Sequence, residues 1–495
     1  MILAIDQGTT SSSCVVFDQG MRAIGRASAE LPQSFPKPGW VEHDAGEIWR
    51  LTRELAQRAL DAAGLSAGEL LAIGLTNQRE TVCAWDRDTA RPLCNAIVWQ
   101  DRRTAPHCER LRSEGLQSLV RERTGLLLDP YFSATKLAWM LHHVAGLRER
   151  VQRGTALLGT IDSWLMFNLT GEHITDVTNA SRTLLFDIER RCWDQQLLDL
   201  FQIPAEALPE VRASAGLLGR VREGALHRCA GTPVTGLAGD QQAALLAQGC
   251  LHPSIAKATY GTGVFVLVNV GTERPRPVDG LIGTVALQVG GALTYAYEAS
   301  VFAAGAAVQW LRDGLEVIQS ASETEALAAS LPSNEGVYFV PALTGLGSPH
   351  WDPHARGTIV GLTRGSGRRH LVRATLEAIA YQTADALEAI QDACGQQVEE
   401  LRADGGGSDN RWLMQFQADI LGVPVRVAGG PEATARGAAL LAGVGAGLWG
   451  VEHAASTWRE QARYQPRIDP SARSHLLEGW RDALSRAAGG AASSR

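Results

Sequence analysis

A strand–turn–strand unit that occurs twice constrains this chain more than anything else in it. Ile2-Leu3-Ala4-Ile5 reads as a short buried strand running into Asp6-Gln7-Gly8-Thr9-Thr10-Ser11-Ser12-Ser13, and Cys14-Val15-Val16-Phe17-Asp18 reads as the returning strand. In the second half, Ala256 to Tyr260 leads into Gly261-Thr262-Gly263 and then into the apolar run Val264 to Val268. A glycine in such a tip lets the backbone approach a ligand closely. The turn amides and hydroxyls can then converge on phosphate oxygens, and a strand-end carboxylate such as Asp6 can hold a hydrated magnesium ion. One hairpin of this kind is also a common polar turn. Two of them, one early in each half, predict a duplicated α/β fold with phosphate held between the copies.

Length and composition fit that reading. The 495 residues allow two domains with ample cores, and 45% hydrophobic with 20% charged residues is a globular balance. A net charge of −7 and the lack of a long basic block argue against a nucleic-acid binder. No apolar run is long enough for membrane insertion, and Met1 leads straight into the first strand with no signal peptide before it. The eight cysteines are scattered with no CxxC pair, so a zinc site is not expected and a reduced, cytoplasmic setting is.

Along the chain, Leu71 to Thr76, Thr81 to Asp86, Pro233 to Ala238 and Leu401 to Asp404 read as strands. Gln241 to Gln248, 370–392 and 411–421 read as helices, the second on the spacing of Val372, Leu376, Ile379, Leu387 and Ile390. Gly249 to Pro253 is the expected interdomain crossing. The division is then a first domain over 1–248, a second over 249–486, and a disordered tail over 487–495. Four strand-end segments are expected to converge: Asp6 to Ser13, Asp240-Gln241, Thr259 to Gly263, and Asp404 to Asn410. The glycines at 405–407 lack GxGxxG spacing and no Walker sequence is present, so any nucleotide is held in another way.

The segments between these tips carry a family pattern. Gly39-Trp40-Val41-Glu42-His43-Asp44, Thr76-Asn77-Gln78-Arg79-Glu80-Thr81, Asp162-Ser163-Trp164-Leu165 and Thr178-Asn179-Ala180-Ser181-Arg182-Thr183 occur in order. Ala238-Gly239-Asp240-Gln241-Gln242-Ala243-Ala244, Tyr260-Gly261-Thr262-Gly263, Ser348-Pro349-His350-Trp351-Asp352-Pro353 and Ala355-Arg356-Gly357 follow. With Asp6 to Ser12, they resemble the glycerol-phosphorylating members of the sugar-kinase family over roughly residues 2 to 470. The resemblance implies an α/β fold of two ribonuclease-H-like (actin-like ATPase) domains with an interdomain cleft. It implies ATP and Mg2+ as cofactors, glycerol as the acceptor, and leaves homo-oligomer formation open.

By the same resemblance, Asp240 is the general base, Asp6 the magnesium ligand, and Thr9, Thr10, Ser11 and Thr262 the phosphate contacts. Arg79, Glu80, Tyr131, Asp240 and Gln241 would bond the glycerol hydroxyls, with Trp99 and Phe265 flanking its carbons. Gly305, Gln309, Gly406 and Asn410 would contact adenine and ribose. Read without the resemblance, Asp240 is a helix N-cap, Arg79-Glu80 a surface ion pair, and Trp99 and Phe265 core residues. Two departures stand out. The family's first phosphate motif usually carries Arg where this chain has Ser13, which predicts altered nucleotide affinity. Leu217 to Thr232 is shorter than the family's Gly-rich inhibitor loop, which predicts no inhibition by a sugar bisphosphate. The competing functions are a kinase for another polyol or ketose and a non-catalytic nucleotide-binding relative.

Overall fold

The structure is a computed structural model that describes residues 1–66, 68–430 and 432–489. Strands Ile2–Gln7 and Ser11–Phe17 form the first hairpin, with Asp6 opposite Ser13, and Ala23–Glu30 extends it antiparallel. On its other side Ile2–Gln7 pairs in parallel with Ala72–Asn77, which pairs in parallel with Pro233–Gly239. The second half repeats this pattern. Ile255–Tyr260 and Val264–Gly271 form its hairpin, and Ala292–Val301 extends it antiparallel. Glu400–Asp404 and then Val425–Ala428 add in parallel on the other side. The duplication expected from the two hairpin tips is therefore present strand for strand. A single pairing, Ala215 with Val289, joins the two sheets.

Each sheet is covered by an amphipathic helix. Ala45–Ala62 is capped by Asp44, whose carboxylate accepts from the Gly46 and Glu47 amides, and it buries Ile48, Leu51, Leu55 and Ala59. Arg368–Cys394 buries Val372, Leu376, Ile379, Leu387 and Ile390, the five residues that marked it in the sequence. Ala433–Gly445 lies against the first-half strands and helix Asp240–Ala247. A Cβ at Gly437 would stand 1.9 Å from the Ala243 carbonyl oxygen, so glycine is what lets those two backbones meet.

The expected tail needs correction. The last helix runs Pro470–Gly489, and Trp480, Ala483 and Ala487 are buried in the second-half core. Trp480 also donates its indole N–H to Asp385 at 2.7 Å. Small residues at 487–489 looked like a tail because the sequence does not show that core surface. Residues 490–495 lie outside the described residues. No helix among the described residues is long and apolar enough to cross a membrane.

Candidate active site

A small sheet inserted in the first half aims the predicted acceptor residues. It pairs Glu42–His43, Ala96–Ile97, Val82–Asp86 and Ala156–Thr160. Arg79 and Glu80 occupy the turn between strands Ala72–Asn77 and Val82–Asp86. Glu80 takes a left-handed φ of 63°, a strained conformation for a residue with a Cβ. The pair is not at the surface, as the bland reading had it, but almost fully buried, with Arg79 Nε 3.8 Å from Glu80.

Two residues that sequence reasoning missed hold this pair. Arg79 grips Glu298 with both Nη atoms, at 2.6 and 3.2 Å. Arg182 donates Nε to Glu80 at 2.6 Å and Nη2 to Glu298 at 2.9 Å. Two guanidinium groups thus face two carboxylates, and all four side chains are buried. Burial alone would favour a neutral Glu298, but Arg182 and Arg79 hold its carboxyl down to about 2. Glu298 belongs to strand Ala292–Val301 of the second half, so this network ties the halves together. The available signal was a charged residue inside the apolar run Ala296 to Val301.

Asp240 begins helix Asp240–Ala247, with Gly239 in the cap position, so the expected N-cap role does not hold. Its carboxylate instead accepts the Gln241 amide at 2.7 Å and lies 3.2 Å from Arg79 Nε. Its side chain keeps 29% exposure, against 2% for Arg79 and 0% for Glu298, so it is the acid of this cluster that the cleft can reach. Burial raises its pKa, opposed by Arg79.

Aromatic rings wall the cleft beside it. Trp99 meets Tyr131 edge-on at 5.4 Å and Phe265 at 6.4 Å. All three are half-buried, which fits a cleft lining better than a closed core. Lys136 fixes the Tyr131 turn by donating to the carbonyls of Pro130, Tyr131 and Phe132 at 3.0, 2.6 and 2.8 Å. Trp99 donates its indole N–H to Thr9 at 2.9 Å, joining the aromatic wall to the first hydroxyl-rich turn.

Asp6 stands at the base of that turn. Burial, with Asp240 and Glu432 nearby, pushes its pKa up to about 7, and among the described residues no cation pairs with it. The second turn is built by close approach. Gly305 donates to the Gly261 carbonyl at 3.0 Å, and a Cβ at Gly305 would fall 2.6 Å from that oxygen. A cavity of about 520 Å³ opens beyond. Thr262, Gly305, Gln309, Gly406 and Asn410 all line it, five of the residues assigned to the nucleotide. Among its other lining residues, Arg312, Ser322, Thr324 and Glu325 are polar side chains that the sequence reading did not assign to the nucleotide. Asn410 also caps helix Arg411–Leu421, accepting from Leu413 N at 2.9 Å and donating to Thr324 at 3.0 Å.

Two of the four expected segments are bonded directly, Thr259 to Asp404. Asp240 lies near enough to Asp6 to raise its pKa, and Gln241 accepts from Lys257, two residues before Thr259. Thr10 and Ser11 sit exposed at the tip of the first hairpin.

Residues 1–247 match the N-terminal domain of the FGGY family of carbohydrate kinases and 256–446 its C-terminal domain. The chain is 52% identical over 489 residues to a glycerol kinase of Deinococcus radiodurans, covering 98% of this chain and 97% of that one. It is 53% identical over 488 residues to a glycerol kinase of Alcanivorax borkumensis, covering 98% of each. The crystal structure of Plasmodium falciparum glycerol kinase with ADP superposes with a TM-score of 0.92 at 35% identity, covering 98% of each chain. The chain belongs to the FGGY family of carbohydrate kinases.

Proposed function

We propose that this protein transfers the terminal phosphoryl group of ATP to a terminal hydroxyl of glycerol, giving sn-glycerol 3-phosphate. One observation carries the reading. A cleft-accessible carboxylate, Asp240, stands 3.2 Å from Arg79 and near Asp6 at the base of the first hydroxyl-rich turn, and relatives about half identical over nearly the whole chain are glycerol kinases.

Chemistry follows from the placement. A glycerol hydroxyl is a poor nucleophile at neutral pH, and Asp240 would accept its proton as the new P–O bond forms. Arg79 and the Gln241 amide orient that carboxylate. Arg79, Glu80, Tyr131 and Gln241 would read the hydroxyls, while Trp99 and Phe265 close over the carbons. Thr9, Thr10, Ser11 and Thr262 would meet the phosphates, and the 520 Å³ cavity would take the adenosine between Gly305, Gln309, Gly406 and Asn410. Asp6, a buried carboxylate with no cation partner among the described residues, fits a magnesium ligand. Mg2+ bound there with the nucleotide would neutralise charge on the phosphates. The free cysteines fit a reduced, cytoplasmic setting.

The test is coupled ADP release with ATP and magnesium, using glycerol, erythritol, dihydroxyacetone or no acceptor. Turnover that depends on glycerol and is abolished by Asp240→Asn supports the proposal. Turnover with another acceptor only, or without any, refutes it.

A further inference from the structure

Lys257 lies in strand Ile255–Tyr260 of the second half and is fully buried. Pairing register puts it in one row with Arg402, Leu267 and Glu298, and puts Thr259 in the next row with Asp404, Phe265 and Ser300. Residues opposite one another share a face of a sheet. The face that carries Phe265 and Glu298 toward the first half therefore also carries Lys257. Its ammonium donates to Gln241 Oε1 at 2.5 Å. Among the described residues it has no carboxylate within ion-pair distance. Asp404, Asp240 and Glu298 attract it from farther off, and Arg79 repels it. A buried ammonium without an ion pair is costly, and a core position would be filled more cheaply by an aliphatic residue.

We propose that Lys257 is a positioning residue for the acceptor site: it locks the Gln241 side-chain amide with its oxygen turned inward and its –NH2 turned toward the acceptor beside Asp240. The assignment follows from donor chemistry. Lysine can only donate, so the amide end it touches must be the carbonyl, and the free end must be the donor. Gln241 follows Asp240 directly in the helix, and its backbone N–H holds the Asp240 carboxylate. The acceptor hydroxyl that gives its proton to Asp240 then receives a hydrogen bond at its oxygen from the locked –NH2. With Lys257 removed, the amide flips freely and presents its oxygen, which cannot donate.

This inference rests on the function proposed above and is tested separately from it. The full-length chain is assayed by ADP release at varied glycerol and varied ATP. Glycerol-dependent turnover by the parent protein bears on the function; the variants alone bear on Lys257. Lys257→Met is expected to raise the glycerol KM about tenfold, the loss of one oriented hydrogen bond, with the ATP KM within about twofold of the parent. Gln241→Ala is expected to do the same, and the double variant to be no worse than either single one. Effects that multiply in the double variant, or that fall equally on ATP, overturn the proposal, as does an unchanged glycerol KM. If Lys257→Met does not fold, Gln241→Glu decides. It keeps a partner for the lysine but removes the –NH2, so calorimetry should show folded protein with glycerol affinity weakened about tenfold; undiminished affinity overturns the proposal.

Discussion

Replacing Glu298 with Gln tests whether the buried charge network both joins the halves and shapes the acceptor site. In the parent, Glu298 accepts three hydrogen bonds, two from Arg79 at 2.6 and 3.2 Å and one from Arg182 at 2.9 Å. Glutamine keeps the volume but removes the charge and turns donors toward donors. Two buried guanidinium groups are then left with Glu80 and the partly exposed Asp240 as their only carboxylates among the described residues. Removing one partner from a buried ionic network costs about 3–5 kcal/mol. For a domain of about 250 residues that corresponds to a melting temperature lower by roughly 6–20 °C. The pH dependence has a definite sign. The Glu298 carboxyl is held at about 2, below its ordinary 4.5, so its stabilisation is present above 4.5 and lost as pH falls toward 2. Parent and variant should therefore differ by a constant amount at neutral pH and converge only in strong acid. Calorimetry across pH reads the stability, and glycerol titration of ADP release reads the site, where freed Arg79 should raise the glycerol KM. A variant that melts within two degrees or so of the parent, with an unchanged glycerol KM, would refute the reasoning.

Asp240→Asn is expected to lower kcat by about 10²–10⁴ with little change in glycerol affinity, by comparing single-turnover rates with calorimetric binding. Because burial raises the Asp240 pKa in the free protein, kcat/KM for glycerol should fall on the acid side at a pH above that of an ordinary aspartate, measured as a kcat/KM–pH profile in the parent. Gly305→Ala should raise the ATP KM and spare the glycerol KM, since the new Cβ would meet the Gly261 carbonyl at 2.6 Å and push the second turn away from the cavity. Ser13→Arg places a guanidinium opposite Asp6 in the hairpin register, and a charge-assisted contact to phosphate should lower the ATP KM by about ten- to a hundredfold.

Local features were legible in the sequence, and partnerships between distant residues were not. The hairpin tips could be read because each is one contiguous run of apolar residues, glycine and hydroxyls. Helix Arg368–Cys394 could be read because five buried residues keep helical spacing. Glu298 could not, because its meaning lies in Arg79, 219 residues away, and Arg182, 116 residues away. Lys257 stood out only as a charge between two alanines, with no sign of Gln241 across the cleft. Read by residue type alone, Asp240 before an Ala/Leu run has the ordinary capping signature, and only the backbone shows the helix starting at Asp240 itself, with Gly239 in the cap position. The tail was misread because small residues look disordered unless the surface they pack on is known.

These partnerships also bear on why the proposed acceptor site lies where the halves meet. An apolar face on the second sheet would hold the first half firmly but offer nothing to a polyol or a phosphate. Its face instead carries Lys257, Thr259, Glu298, Ser300 and Asp404 beside Phe265. Charged groups on such a face must be paired across the boundary to be tolerated there. Arg79 and Arg182 from the first half pair with Glu298, and Gln241 and Gln248 from the same half meet Lys257 and Asp404 at 2.5 and 2.6 Å. The residues that bind the halves to each other are thus the same ones that set the charge and orientation of Asp240, Glu80 and Gln241. Any movement of one half against the other would therefore shift the proposed acceptor site, and substitutions in the network should couple stability to glycerol affinity. Substitutions on the far faces, such as within helix Ala45–Ala62, should change stability alone.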